Sequence, residues 1–115
     1  MPTPKLPPGL TVFHPFTNEV PVTQHAWQRF CERYPKVANN PRSSYYSTDR
    51  LSEILKESFG NATFRELSET GTVKRLINNR FKPVEYYLDT TLNLRYVVSK
   101  DKKPALVTVE IPEKS

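Results

Sequence analysis

The spacing of apolar residues changes once along this chain, near Pro83, and the change limits the folds open to it. Before Pro83, apolar residues recur every three to four positions, as on one face of an α-helix. After it, three segments are rich in β-branched and aromatic residues, at 84–89, 94–99 and 105–111, and the last two also alternate like β-strands. The links between them suit hairpins. The sequence therefore predicts an α+β fold, with N-terminal helices packed on a C-terminal antiparallel β-meander of three to four strands.

Two helices are predicted in the first half of the chain. The first begins after Thr23, whose hydroxyl makes a good N-cap, and ends before Pro35, since the residue before a proline disfavours the helical conformation. The second is capped within residues 47–49 and ends near Phe59. Gly60 then fits a left-handed C-terminal cap.

Shorter segments complete the predicted organisation. Residues 10–13 favour a short strand, residues 63–66 match a helical capping box, and residues 72–80 fit a last short helix. Four prolines within residues 1–9 favour an extended, flexible tail that does not join the core. Residues 10–115 then form a single α+β domain.

The composition excludes several classes of protein. The 115-residue chain carries 17 basic and 12 acidic side chains, a formal charge of +5, and one cysteine. A single cysteine excludes an intramolecular disulfide framework, and no apolar run approaches the roughly 18 residues of a membrane span. The N-terminus lacks the apolar stretch of a secretory signal, so we expect a cytoplasmic protein without a membrane partner. The positive surplus lies in residues 23–83 and suggests an anionic partner.

Most metal and cofactor patterns are missing from the sequence. His14 and His25 have no Cys or carboxylate at a recognised ligand spacing, so no metal site is predicted. The three glycines are scattered and form no phosphate-binding loop, and no cofactor is predicted. Cys31 lies on the apolar stripe of the first helix, which indicates a packed thiol rather than a nucleophile. A Ser-His-Asp or Cys-His site stays open, because its members can be distant in sequence.

Three polar residues of the first helix lie four positions apart and share one face: His25, Arg29 and Arg33. An imidazole can act as general acid or base near neutral pH, and a neighbouring guanidinium can hold a phosphate. The pair suits cleavage of a phosphodiester through the ribose 2′-hydroxyl, which requires no metal. The alternative is a solvated helix face, on which Arg29 pairs with Glu32.

Further candidate contacts to RNA lie later in the chain. Residues 72–83 contain no acidic side chain and hold Phe81 among their basic residues, a pattern that can contact a nucleic-acid backbone but is also typical of a solvated surface. In the predicted strand at 84–89, we expect at most one of the rings of Tyr86 and Tyr87 to be free to stack on an RNA base. The predicted RNA contacts are Arg33, Lys74, Arg75, Arg80, Lys82 and Tyr87.

Two short motifs carry a family resemblance. Residues 22–33 read Val-Thr-Gln-His-Ala-x-x-Arg-Phe-x-x-Arg, and Leu-Arg-Tyr-Val-Val-Ser-Lys-Asp begins at residue 94, followed by Val-Thr-Val from residue 107. These motifs resemble the RelE-like proteins of the barnase–EndoU–colicin–RelE superfamily, which are metal-independent ribonucleases and toxins. The long stretch between helix and strands departs from the compact members. The resemblance implies RNA cleavage at a site formed by His25, Arg29, Arg95 and Thr108.

The leading hypothesis is an RNA-binding protein that acts as a metal-independent endoribonuclease of the RelE-like toxin type. In this hypothesis His25 transfers protons and Arg29 and Arg95 hold the phosphate. Thr108 adds a hydrogen bond. The hypothesis requires these side chains to converge on one groove.

Other functions stay open. The main alternative is a non-enzymatic regulator or inhibitor that binds a protein through Tyr45, Tyr46 and the basic segment. Besides RNA, the candidate protein partners are an antitoxin or a regulated target. A DNA-binding regulator has little support, because the sequence shows no helix-turn-helix.

Overall fold

In the residues that the structure describes, two α-helices accompany a four-stranded antiparallel sheet and a small hairpin. Helix α1 spans Gln24–Val37 and helix α2 spans Thr48–Asn61, with a short 3-10 helix at Pro41–Tyr45 between them. The predicted α+β class, with helices preceding the main sheet, is confirmed. The computed structural model describes residues 4–14, 18–65, 84–100 and 103–112.

Within the described ranges, the strands form two separate sheets. Strands β1, Thr11–His14, and β2, Asn18–Pro21, pair as a small antiparallel hairpin before α1. The main sheet has the strand order β3-β4-β5-β6, with every neighbouring pair antiparallel. The predicted meander is therefore confirmed, and β3 adds a fourth, edge strand. These four strands span Thr63–Arg65, Val84–Asp89, Leu94–Ser99 and Leu106–Glu110.

The hydrophobic core lies between the helices and one face of the main sheet. Because side chains alternate along a strand, Leu94, Tyr96 and Val98 of β5 all face this core, and each is at most 1% exposed. Trp27 and Phe30 of α1 are fully buried against it. Helix α1 packs beside β6, while α2 packs against β1 and β4. This arrangement places the polar face of α1 next to an edge strand of the sheet.

Helix α1 begins as predicted but ends later. The Thr23 hydroxyl accepts a hydrogen bond from the Ala26 amide at 3.1 Å, so the N-cap is confirmed. Pro35 lies inside the helix, and the predicted stop before it is wrong. A proline disfavours the helical conformation of its predecessor but does not forbid it. Tyr34 keeps that conformation because its buried ring stacks on Phe30, with 5.5 Å between ring centroids.

Helix α2 likewise has the predicted start and a different end. The Ser47 hydroxyl accepts from the Arg50 amide at 3.2 Å. Gly60 lies within the helix, and the C-cap is Ala62, whose backbone is extended at φ −75° and ψ 145°. The predicted left-handed glycine cap is wrong, because the chain runs directly from Ala62 into β3 and needs no left-handed turn.

The segment after α2 also departs from its local sequence pattern. Residues 63–66 match a helical capping box, but Thr63–Arg65 form strand β3 instead. Phe64 lies opposite Tyr87 of β4, with 5.9 Å between the ring centroids. Such a cross-strand aromatic pair outweighs the weaker local preference for a helical turn. The short helix predicted at residues 72–80 lies outside the described residues.

The proline-rich N-terminal segment contacts the core. The buried indole of Trp27 donates its Nε1 hydrogen to the carbonyl of Pro4 at 2.8 Å, and Leu6 packs against the core residues. A buried indole N–H needs an acceptor, and a proline carbonyl can supply one although its nitrogen has no hydrogen. The prediction that residues 1–9 stay away from the core is therefore wrong for the described residues 4–9.

Candidate functional site

A cleft of about 340 Å³ opens between α1 and β6, and we call it the α1–β6 cleft. Side chains that are four residues apart lie on the same face of a helix, and three polar side chains of α1 reach the cleft in this way. Strand β6 supplies the opposite wall. Predicted site residues that are distant in sequence are thus brought together here. The lining side chains are His25, Arg29 and Arg33 of α1, Val97 of β5, and Val107, Thr108 and Glu110 of β6.

Hydrogen bonds hold α1 along the outer edge of β6. At one end, the backbone amide of Thr23 donates to the Leu106 carbonyl at 3.1 Å, and the Thr23 hydroxyl donates to the same oxygen at 2.9 Å. At the other end, the Arg33 guanidinium donates to the Val109 carbonyl. An edge strand has carbonyls without a neighbouring strand, and α1 supplies donors to them. The two contacts bracket the cleft and fix the distance between its walls.

A β-bulge shapes the β6 wall of the cleft. Val97 pairs with Thr108, whereas Val98 pairs with Leu106, so Val107 is an extra residue in β6. In a regular strand, successive side chains point to opposite faces, yet both Val107 and Thr108 line the cleft. The strict alternation predicted for residues 105–111 is wrong at this point. The bulge explains how two neighbouring side chains of one strand reach the same cleft.

His25 and Arg29 lie on the open side of the cleft. His25 is exposed. Arg29 forms an ion pair with Glu32 at 2.9 Å, and this hydrogen bond is the main cause that holds the pKa of the Glu32 carboxyl below its ordinary value. The pair is the one expected for a solvated helix face. Because exposed ion pairs are weak, it leaves the Arg29 guanidinium available to a competing anion.

Arg95 contacts a cleft residue rather than the cleft itself. Its Nε donates to the Glu110 carboxylate at 2.9 Å across the β5–β6 pair, and its guanidinium carbon lies 5.5 Å from the centre of the Tyr86 ring. Glu110 lines the cleft. The sequence analysis missed Glu110. The available signal was its place on the same strand face as Thr108, opposite a cation in the neighbouring strand.

Tyr87 is buried and cannot stack on a base. Its side chain is 3% exposed, and its hydroxyl donates to the Glu85 carboxylate at 2.8 Å and lies 2.7 Å from Nε2 of His14. Burial, followed by the Glu85 hydrogen bond, raises the pKa of Tyr87 above its ordinary value. The prediction of Tyr87 as an RNA contact is wrong, because its ring faces the core beside Phe59. Tyr86 is buried as well.

Cys31 is half-buried and packs against the core, as predicted for a structural thiol. Its burial, with a smaller effect of the Glu32 charge, raises the pKa of the thiol to about 12. The reactive thiolate is therefore suppressed at neutral pH. Among the described residues, no group of three or more His, Cys, Asp or Glu side chains is placed to hold a metal ion.

The remaining predicted contacts, Lys74, Arg75, Arg80 and Lys82, lie outside the described residues. In the part of the chain that the structure describes, no helix has the length and apolar character to cross a membrane. No family model, curated protein or solved structure matches this chain.

Proposed function

We propose that this protein binds RNA in the α1–β6 cleft and cleaves it without a metal ion, through attack by the ribose 2′-hydroxyl. One observation carries the proposal: His25, Arg29 and Thr108 come from two elements and line one cleft. A guanidinium and a hydroxyl can bind phosphate oxygens, and an imidazole can transfer a proton near neutral pH. The resemblance of the two short motifs to RelE-like ribonucleases supports the same chemistry.

The reaction needs two proton transfers, and the cleft offers a group for each. A bond forms from the 2′-oxygen to phosphorus as the 2′-proton leaves, and the bond to the 5′-oxygen breaks as that oxygen gains a proton. Glu110 is the proton acceptor in this scheme, since Arg95 holds its carboxylate in place, and His25 on the opposite wall is the proton donor. The products are a 2′,3′-cyclic phosphate and a 5′-hydroxyl.

The three arginines have different roles in this scheme: two contact the phosphate and one orients Glu110. The side chains of Arg29 and its partner Glu32 are 37% and 39% exposed, so a phosphate can displace the carboxylate with little loss. Arg33 donates to the Val109 carbonyl and has further N–H donors for a phosphate oxygen. Arg95 orients Glu110 instead of contacting the phosphate, which revises the role expected for it.

Cleavage of a labelled RNA in the presence of EDTA tests the proposal. We expect the wild-type protein to cut, His25→Ala to cut at least about a hundredfold more slowly, and Arg29→Ala to lose about tenfold or more. Arg42→Ala is the matched control, because it removes an exposed arginine of the 3-10 helix that is not part of the cleft. No cleavage by the wild type, or equal rates in all four proteins, would overturn the enzymatic proposal.

A binding role without catalysis is the second candidate, and an exposed aromatic side chain supports it. Tyr45 is 77% exposed on the 3-10 helix, and exposed tyrosines are enriched at protein interfaces. The dependence of binding on salt concentration distinguishes the two candidate functions. RNA-backbone binding weakens steeply as salt rises, whereas a protein interface centred on Tyr45 depends little on salt and is weakened by Tyr45→Ala.

A further inference from the structure

Glu32 is a charged neighbour of the α1–β6 cleft to which the proposed function gives no task of its own. It does not line the cleft, but its carboxylate forms an ion pair with Arg29, which does. The two residues lie three positions apart on α1, so their side chains stay within one helical turn of each other. A phosphate bound by Arg29 therefore lies close to the negative charge of Glu32.

Two side chains of α1 hold the Glu32 carboxylate, one at each oxygen. The Arg29 guanidinium donates to Oε2 at 2.9 Å, and the side-chain amide of Gln28 donates to Oε1 at 3.2 Å. The hydrogen bond from Arg29, followed by the one from Gln28, holds the pKa of Glu32 below its ordinary value, so the carboxyl is ionised at neutral pH. The bond from Gln28 does not involve Arg29. It can keep the carboxylate beside the cleft when a phosphate takes the guanidinium.

A second ion pair of the same spacing provides the comparison for Glu32. Arg50 and Glu53 of α2 also lie three positions apart, with 3.6 Å between the paired nitrogen and oxygen, and neither lines the α1–β6 cleft. Each pair can stabilise its own helix. What distinguishes Glu32 is that its partner, Arg29, lines a cleft together with a second arginine. Helix stabilisation alone would make the two glutamates equivalent toward a ligand of the cleft.

The charge of a phosphate depends on whether it lies within an RNA chain or at its end. A phosphodiester carries one negative charge, whereas a terminal phosphate carries nearly two at neutral pH, because its second pKa is about 6. The attraction by the arginines and the repulsion by Glu32 both grow with this charge. The arginines alone would therefore favour a terminal phosphate, and Glu32 offsets part of that preference.

We propose that Glu32 is a specificity-determining residue, which biases the α1–β6 cleft toward the internal phosphodiesters of an RNA chain and against terminal phosphates. This inference rests on the function proposed above, since it concerns the phosphate held by Arg29. Its consequence is that free mononucleotides and phosphorylated RNA ends compete less well for the cleft than they would without Glu32. The carboxylate acts on the choice of ligand and takes no part in the proton transfers.

Two matched probes that cannot be cleaved test the inference: 2′-O-methyluridine 3′-monophosphate and its methyl ester at the phosphate. Both lack the attacking 2′-hydroxyl, and above neutral pH they differ by nearly one negative charge. Their affinities are measured from the amide chemical shifts of α1 and β6 in isotope-labelled protein. We expect Glu32→Gln to tighten the binding of both probes, and that of the monophosphate by about twofold or more relative to the ester.

Glu53→Gln is the matched control, because it removes the same charge from a helix that does not line the cleft. Both glutamates are exposed, so both variants are expected to fold, and Glu53→Gln should leave the ratio of the two affinities unchanged. If the wild type binds the probes, an unchanged ratio in Glu32→Gln, or an equal change in both variants, would overturn this proposal and leave phosphate binding intact. Binding by Glu32→Gln alone would support it. Absence of saturable shifts in all three proteins would contradict the function proposed above, and this inference with it.

Discussion

At the scale of single residues, Glu110 has the most informative position in the molecule. Its carboxylate pairs with Arg95 at 2.9 Å, and it also lines the α1–β6 cleft. A carboxylate held in this way is fixed in orientation, which a proton acceptor needs. The sequence predicted His25 and Arg29 from helical spacing alone. Glu110 was missed, although it shares a strand face with the predicted Thr108, because its pairing with Arg95 depends on the register of β5 and β6.

Two buried tyrosines lead to a prediction about alkaline stability. Burial raises the pKa values of Tyr87 and Tyr96 above their ordinary range, whereas in the unfolded chain a tyrosine ionises near pH 10. Above about pH 10 the unfolded chain therefore holds fewer protons than the folded one, and rising pH favours unfolding. We expect the free energy of unfolding, measured by urea titration, to decline above about pH 10.

The matched variant for this prediction is Tyr87→Phe, which removes one of these two tyrosine hydroxyls. Its alkaline decline should be shallower than that of the wild type, although its stability at neutral pH should be lower because it loses the bond to Glu85. A wild-type stability that stays constant up to pH 12 would contradict the account of these two side chains.

At the scale of secondary structure, local signals predicted where elements begin better than where they end. Thr23 and Ser47 cap their helices as expected, because a cap depends on neighbours two or three residues away. Pro35 and Gly60 failed as stop signals, since core contacts of Tyr34 and the direct entry into β3 decide those ends. The β6 bulge at Val107 was not predictable either, because it exists only relative to the pairing with β5.

The double role of Thr23 gives a prediction at this scale. Its hydroxyl caps α1 and donates to the Leu106 carbonyl, whereas Ser47 only caps α2. We expect Ser47→Ala to lose about 1 kcal/mol of unfolding free energy and Thr23→Ala to lose about 2 kcal/mol, because it also leaves a carbonyl of β6 with one donor fewer. Denaturant titration of both variants measures the difference. Equal losses would show that the contact to β6 adds no stability.

At the scale of the whole molecule, the fold places a cationic helix face beside an edge strand that carries Thr108 and Glu110. Periodicity was enough to predict the α+β class, the main strands and the polar face of α1. It was not enough to predict which ring of Tyr86 and Tyr87 faces the core, because that depends on strand register and on what covers each face. The convergence on one cleft likewise comes from tertiary packing.

The identity of the RNA ends after cleavage tests the central claim most directly. Attack by the 2′-hydroxyl leaves a 2′,3′-cyclic phosphate on one product and a 5′-hydroxyl on the other. We predict that mass spectrometry of the wild-type products finds these ends, and that a substrate with 2′-deoxyribose at the cut position stays intact. Products that carry a 5′-phosphate, or cleavage of the deoxy-substituted substrate at an unchanged rate, would contradict the account.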